Sequence, residues 1–198
     1  MTALVQRPEL TLPQAEAELL SHAYKAADFI LEFGSGGSTV MASELPGKRV
    51  FSVESDPDWA AMMKGWLEQN PPATGTKVDM IHVDIGPTKE WGYPQDDSHW
   101  RQYQNYALGV WRQKNFVQPD VVLVDGRFRQ ACALATAFLS KKPVDLYFDD
   151  YTIRKHYHKV EDYLGPPQIT GRMAYFRVTP MAIPPEKLFQ VVKFLQNP

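Results

Sequence analysis

A chain of 198 residues with 21 Lys and Arg against 23 Asp and Glu, a formal net charge of −2, has the size of one ordinary domain. Its 44% hydrophobic and 22% charged residues suffice for a buried core and exclude the disordered and fibrous classes. No Lys/Arg run supplies the positive face that displaces phosphate counterions, so no nucleic-acid partner is expected. With no apolar stretch long enough for a signal peptide or a membrane span, the expected address is the cytoplasm, with no membrane partner.

Short β-rich runs alternate with longer helical patterns, which predicts an α/β fold, doubly wound around a mainly parallel sheet. Thr11 followed by Gln14 reads as a capping box for a first helix carrying Glu16, Leu19, Leu20 and Ala27. Residues 29–33 form the first strand, a glycine-rich turn follows at 34–37, and a short helix spans 38–45. The second strand is 49–54, and Asp56 before Pro57 predicts the N-cap of a helix with Trp59, Met62, Met63, Trp66 and Leu67 as its apolar stripe.

The third strand falls at 78–83. The polar stretch 86–98, with Trp91, Gly92 and Tyr93, is long for a connection and reads as a binding loop or lid. Trp100, Tyr103, Ala107, Val110 and Trp111 share a helical face, for the core or for a second copy in a homodimer. Residues 121–124 form a strand buried on both faces, 129–140 a helix, 144–148 the fifth parallel strand and 153–164 another helix. An antiparallel hairpin, 168–170 and 173–178 about Gly171-Arg172, precedes a last helix with Leu188, Val191, Val192 and Leu195 inward. Cys132 lies among alanines and aliphatics as a small buried hydrophobe. With no repeat or linker, residues 1–198 read as a single domain.

The sharpest chemical signal is Ile30-Leu31-Glu32-Phe33-Gly34-Ser35-Gly36-Gly37-Ser38-Thr39, a strand that ends in a glycine-rich turn and opens a helix. Glycines there let the backbone turn sharply and approach a ligand, and the helix start offers free N–H groups. Glu54, twenty residues after Gly34, ends the neighbouring strand, where a carboxylate can accept both hydroxyls of a ribose. Dinucleotides and S-adenosylmethionine both fit so far. Thr39, where a dehydrogenase fingerprint wants Gly or Ala, and Glu32, which would oppose a pyrophosphate but attract an ammonium, favour the sulfonium cofactor. Asp84, closing the third strand, can accept from an adenine amine.

Through Glu32-x-Gly34-x-Gly36, Glu54, Asp84 and the 121–125 strand end, the chain resembles the class I S-adenosylmethionine-dependent methyltransferases over residues 30–150. The resemblance implies a seven-stranded sheet closed by the antiparallel hairpin. It places Gly34, Ser35, Gly36, Gly37 and Ser38 around the methionine moiety, Glu54 with Ser55 at the ribose, Asp84 with Ile85 at the adenine, and Asp125 along the cofactor. Ser38 stands where many members have a third glycine.

Asp125 ends one strand and Asp149-Asp150 the next, an oxygen cluster of the kind hard cations need. This is similar to the metal-dependent catechol-type O-methyltransferases, which implies Mg2+ at Asp125, Asp149 and Asp150, with Asp125 and Asp149 serving catalysis. Where that group carries a lysine base, this chain has Phe128 between Arg127 and Arg129. The alternative for the triad is a carboxylate lining the cofactor site and another capping a helix. Arg127 and Arg129 could steer an anionic acceptor or be solvated surface, and His156 and His158 fall on different helix faces.

The expected activity is methyl transfer from S-adenosylmethionine to a small-molecule acceptor, through oxygen, by in-line displacement. Two rivals remain. Tyr151-x-x-x-Lys155 has the spacing of a short NAD(P)-dependent oxidoreductase, and a non-catalytic binding protein could keep the fold without the chemistry.

Overall fold

The computed structural model describes residues 6–198. Five strands run parallel: β1 (Phe29–Phe33), β2 (Arg49–Glu54), β3 (Lys77–His82), β6 (Val121–Val124) and β7 (Val144–Phe148). A short antiparallel pair, β4 (Thr88–Lys89) with β5 (Tyr93–Pro94), stands apart within the connection after β3. The hairpin β8 (Gln168–Thr170) and β9 (Met173–Val178) completes the main sheet, β9 lying antiparallel to β7. The order β3-β2-β1-β6-β7-β9-β8 reverses direction between β1 and β6, so the crevice of this open sheet lies beyond the carboxyl ends of those two strands.

Alternation along the strands divides the core. Ile30, Val50, Val121 and Leu123 pack with Leu20 and Tyr24 of α1 (Gln14–Ala26). Leu31, Phe33, Phe51, Val53, Val122 and Val124 face the other layer, built from α4 (Gln104–Leu108), α5 (Arg129–Leu139) and α7 (Leu188–Leu195). Helices α2 (Gly37–Ser43) and α3 (Pro57–Gln69) meet through Val40, Met63 and Trp66. Cys132 is buried within α5.

Several boundaries differ from expectation for identifiable reasons. Thr11 does not cap α1, which begins after Pro13, a residue whose fixed φ suits a helix entry. The stretch 100–112 is a short α4 flanked by 3-10 turns, and 155–164 is a 3-10 turn leading into the four-residue α6 (Glu161–Leu164). In α7 the inward residues are Val191 and Phe194, with Leu195 packed partly buried against the same core, while Leu188 and Val192 are exposed. The α3 stripe is only partly core, because Trp59 lies half-exposed at the head of the helix. No helix among the described residues is long and apolar enough to cross a membrane.

Candidate functional site

The turn after β1 is fixed from both sides. Gly34 has φ +102°, and a Cβ there would lie 2.6 Å from the backbone nitrogen of Gly126, so only glycine lets the β1 and β6 ends approach this closely. The Gly34 N–H donates to the Val53 carbonyl at 2.9 Å, and those of Asp125 and Gly126 donate to the Phe33 carbonyl. Glu32 points to the α1 face and is entirely buried. It accepts from the Tyr24 hydroxyl at 2.8 Å and from Thr39 Oγ1 at 2.6 Å, and Thr39 Oγ1 in turn accepts the Gly36 N–H at 3.2 Å.

Burial raises the Glu32 carboxyl above its ordinary range, opposed by hydrogen bonds led by Thr39 and Tyr24. Instead of facing an ammonium in the cleft, Glu32 braces the glycine turn from behind. Thr39, which the sequence presents only as a mismatch to a dehydrogenase, is the link in that brace. Ser38 is nearly buried, whereas Ser35, Gly36 and Gly37 keep partial exposure.

At the end of β2, Glu54 Oε2 accepts the Ser35 hydroxyl at 2.9 Å, and Oε1 accepts the Ser55 N–H at 2.7 Å and the Asp56 N–H at 2.9 Å. Asp56 caps α3 by accepting the Trp59 N–H at 2.9 Å, as expected. The Trp59 indole donates to the Ser35 carbonyl at 2.9 Å and so borders the same turn, a site contact that its helical spacing conceals. Asp84 is exposed and accepts the Gly86 N–H at 2.8 Å, opening the next loop, while Ile85 is sealed in the core with Tyr103 and Tyr106.

Residues 86–98 fold over Glu54. Gly92, at φ +69°, packs so near that a Cβ would lie 2.7 Å from Ser55 Oγ and 3.3 Å from Glu54 Oε1, and Ser55 donates to its carbonyl at 3.0 Å. Tyr93 lies against the Arg127 guanidinium, 3.9 Å from ring centre to Cζ. Trp91 at the tip has φ 62° and is 82% exposed.

At the ends of β6 and β7, Asp125, Asp149 and Asp150 do converge, with oxygens within 4.8 Å of one another. Each already faces a guanidinium. Arg172, from the β8–β9 turn, grips Asp149 through Nε–Oδ1 at 2.9 Å and Nη2–Oδ2 at 2.7 Å. Arg129 lies 3.2 Å from Asp125 and 3.3 Å from Asp150, and Arg154 and Arg172 each lie 3.3 Å from Asp150. Asp149 is 1% exposed, whereas the Asp125 side chain is 31% exposed. Burial pushes the Asp125 carboxyl up to about 7; Arg129 opposes the shift and Asp149 and Asp150 add to it. Three carboxylates balanced by three guanidiniums form an ion-pair network, and such a donor set does not suit Mg2+, which needs free carboxylate oxygens.

Arg127 and Arg129 are both buried rather than solvated. Tyr151 is buried with its hydroxyl on Glu161 at 2.7 Å, so Tyr151 and exposed Lys155 do not form an oxidoreductase pair. The His158 ring stacks on Tyr151 and His156 packs on Tyr157.

The chain is 58% identical to a methyltransferase-like protein from Silicibacter pomeroyi whose crystal structure superimposes with a TM-score of 0.95, covering 97% of this chain and 99% of that one. The chain belongs to the same methyltransferase-like family, with the class I methyltransferase fold. More distant methyltransferases share the fold alone. The O-methyltransferase TomG from Streptomyces achromogenes, solved in complex with SAM, is 15% identical at a TM-score of 0.56 over 87% of this chain and 83% of that one. An O-methyltransferase from Bacillus cereus in complex with SAH is 13% identical at 0.51 over 87% and 84%. No family model and no curated protein matches the chain.

Proposed function

We propose that this methyltransferase-family protein moves a methyl group from S-adenosylmethionine to the oxygen of a small-molecule acceptor by in-line displacement, without a divalent cation. The observation that carries this reading is the pairing of the braced Gly34 turn with Glu54 at adjoining strand ends. Ser35, Gly36, Gly37 and Ser38 would line the methionine moiety, Glu54 with Ser55 the ribose, Asp84 the adenine, and Asp125 the reactive end. When bound, S-adenosylmethionine supplies the electrophilic methyl and the leaving thioether.

Glu54 suits a diol because Oε2 is held by a single hydroxyl, that of Ser35, which a ribose hydroxyl can replace, while two backbone N–H groups keep the carboxylate in place through Oε1. Asp125 is assigned as proton acceptor for the acceptor's hydroxyl, since a carboxyl near 7 with one open face is matched to neutral pH. Asp149, clamped by Arg172, is assigned to holding the hairpin against the site.

Calorimetric titration of S-adenosylhomocysteine tests the reading: Glu54→Ala is expected to weaken binding by at least ~10-fold, about 1.4 kcal/mol. Adding Mg2+ is expected to change nothing. Absence of binding in the wild-type protein would sink the proposal.

The fold of residues 86–98 over Glu54 favours a second reading, a binding protein without turnover, because Gly92 packs against Ser55 and Glu54 and narrows the ribose position. Cofactor binding with no methyl transfer across a panel of acceptor hydroxyls would select it.

A further inference from the structure

Among the described residues Arg127 is the arginine that is buried yet has no carboxylate within ion-pair distance, at 7% exposure. Its Nε is buried without a hydrogen-bond partner. A guanidinium withdrawn from water and left unpaired is costly, and the group that would relieve it is an anion. The surrounding charge agrees. Asp125, Asp149 and Asp150 are matched by Arg129, Arg154 and Arg172, so Arg127 is a cation in excess of this aspartate cluster.

Geometry also fits. The Tyr93 ring covers one face of the guanidinium, and stacking on a face leaves the in-plane edge, including Nε, for the two-pronged grip that guanidinium makes on an oxyanion. Arg127 follows Gly126, whose backbone packs on Gly34, so it stands beside the cofactor turn. Arg154 approaches from the segment after β7, touching Asp150 on one side and the Tyr157 hydroxyl at 3.3 Å. Burial would raise the Tyr93 phenol, but charge and hydrogen-bond interactions with Arg127 and Arg154 hold it below its ordinary value.

We propose that Arg127 and Arg154, with the Tyr93 hydroxyl, form a seat for an oxyanion carried by the methyl acceptor, so that the acceptor is an anionic small molecule bearing a carboxylate or a phosphate. The assignment to the acceptor rests on the methyl-transfer reading above. It also gives residues 86–98 a second role, because Tyr93 brings the loop that covers Glu54 into contact with the acceptor.

The test titrates benzoate and inorganic phosphate separately into the full chain, with and without saturating S-adenosylhomocysteine, and titrates S-adenosylhomocysteine and methylthioadenosine on their own. Wild-type protein is expected to bind one of the two oxyanions saturably, and which one binds distinguishes carboxylate from phosphate. Arg127→Gln should weaken that binding by at least ~10-fold, Arg127→Lys should restore part of it by charge alone, and Arg112→Gln, an exposed control, should not change it. Should Arg127→Gln fail to fold, Arg154→Gln at a partly exposed position carries the same test with a smaller loss.

No saturable oxyanion binding in the wild type, or unchanged affinity in the folded Arg127 and Arg154 variants, would overturn the seat. If Arg127→Gln weakens S-adenosylhomocysteine but not methylthioadenosine, which lacks the amino-acid carboxylate, the arginine serves the cofactor and the proposal fails. Oxyanion binding without any S-adenosylhomocysteine binding would refute the acceptor assignment and the methyl-transfer reading together, while leaving the anion site itself.

Discussion

Two groups of carboxylates line the same sheet edge and are held in opposite ways. Around β1 and β2, Glu32 and Glu54 are met by hydroxyl and amide donors from Tyr24, Thr39, Ser35, Ser55 and Asp56. Around β6 and β7, Asp125, Asp149 and Asp150 are met by Arg129, Arg154 and Arg172. Neutral donors add no compensating charge, and at Glu54 one of them, the Ser35 hydroxyl, can be exchanged for a ligand's hydroxyl. Guanidiniums cancel the charge and fix the side chains, because parting a buried ion pair strands both members. Glu54 keeps a hydroxyl partner it can exchange while Asp149 is locked by Arg172, which is why a carboxylate reads as a binding group at the one position and as a strut at the other.

The hardest way to break this contrast is Arg172→Ala, which strands Asp149 at 1% exposure; a loss of about 3–5 kcal/mol is expected in urea unfolding. Next is Gly34→Ala, where a left-handed φ of +102° and the Gly126 backbone both resist a Cβ, for at least ~2 kcal/mol by the same measurement. Thr39→Val removes one neutral donor from Glu32 while keeping shape. It should cost about 1–2 kcal/mol, recovered by Thr39→Ser.

The smallest effect is a pH slope. Because the native Asp125 carboxyl is raised, the folded protein holds a proton that the unfolded chain has released above about pH 4. Its contribution to stability therefore declines as pH climbs from there through about 7. Partial exposure limits the change to the order of 1 kcal/mol, and Asp125→Asn should flatten that part of the thermal-midpoint profile against pH. A profile unchanged by the substitution would remove Asp125 from the role of base.

Much of this is legible in the sequence because it is local. The strands 29–33, 49–54, 121–124 and 144–148 and the closing hairpin lie where apolar runs and turn residues place them, since strand burial follows a two-residue period. The Asp56 cap is legible for the same reason, its partner lying three residues on, and the Gly34 turn is legible through its run of glycines although the backbone it packs on, Gly126, is remote. Thr39 and Trp59 are not, the first reading as a motif mismatch and the second as core. Their roles depend on partners seven and twenty-four residues away, across the turn.

The sequence by itself determined the doubly wound sheet, the glycine turn with Glu54 opposite, and the gathering of three aspartates at neighbouring strand ends, because these follow from periodicity and strand order. Only the tertiary structure decided what those groups face. Arg172 reaches Asp149 from a hairpin twenty-three residues on, Gly92 closes over Glu54 from a separate loop, and Arg127 is left buried without a carboxylate. Charge pairing and burial are properties of three-dimensional neighbourhoods, set by how loops and hairpins pack onto the sheet, and no local pattern encodes them.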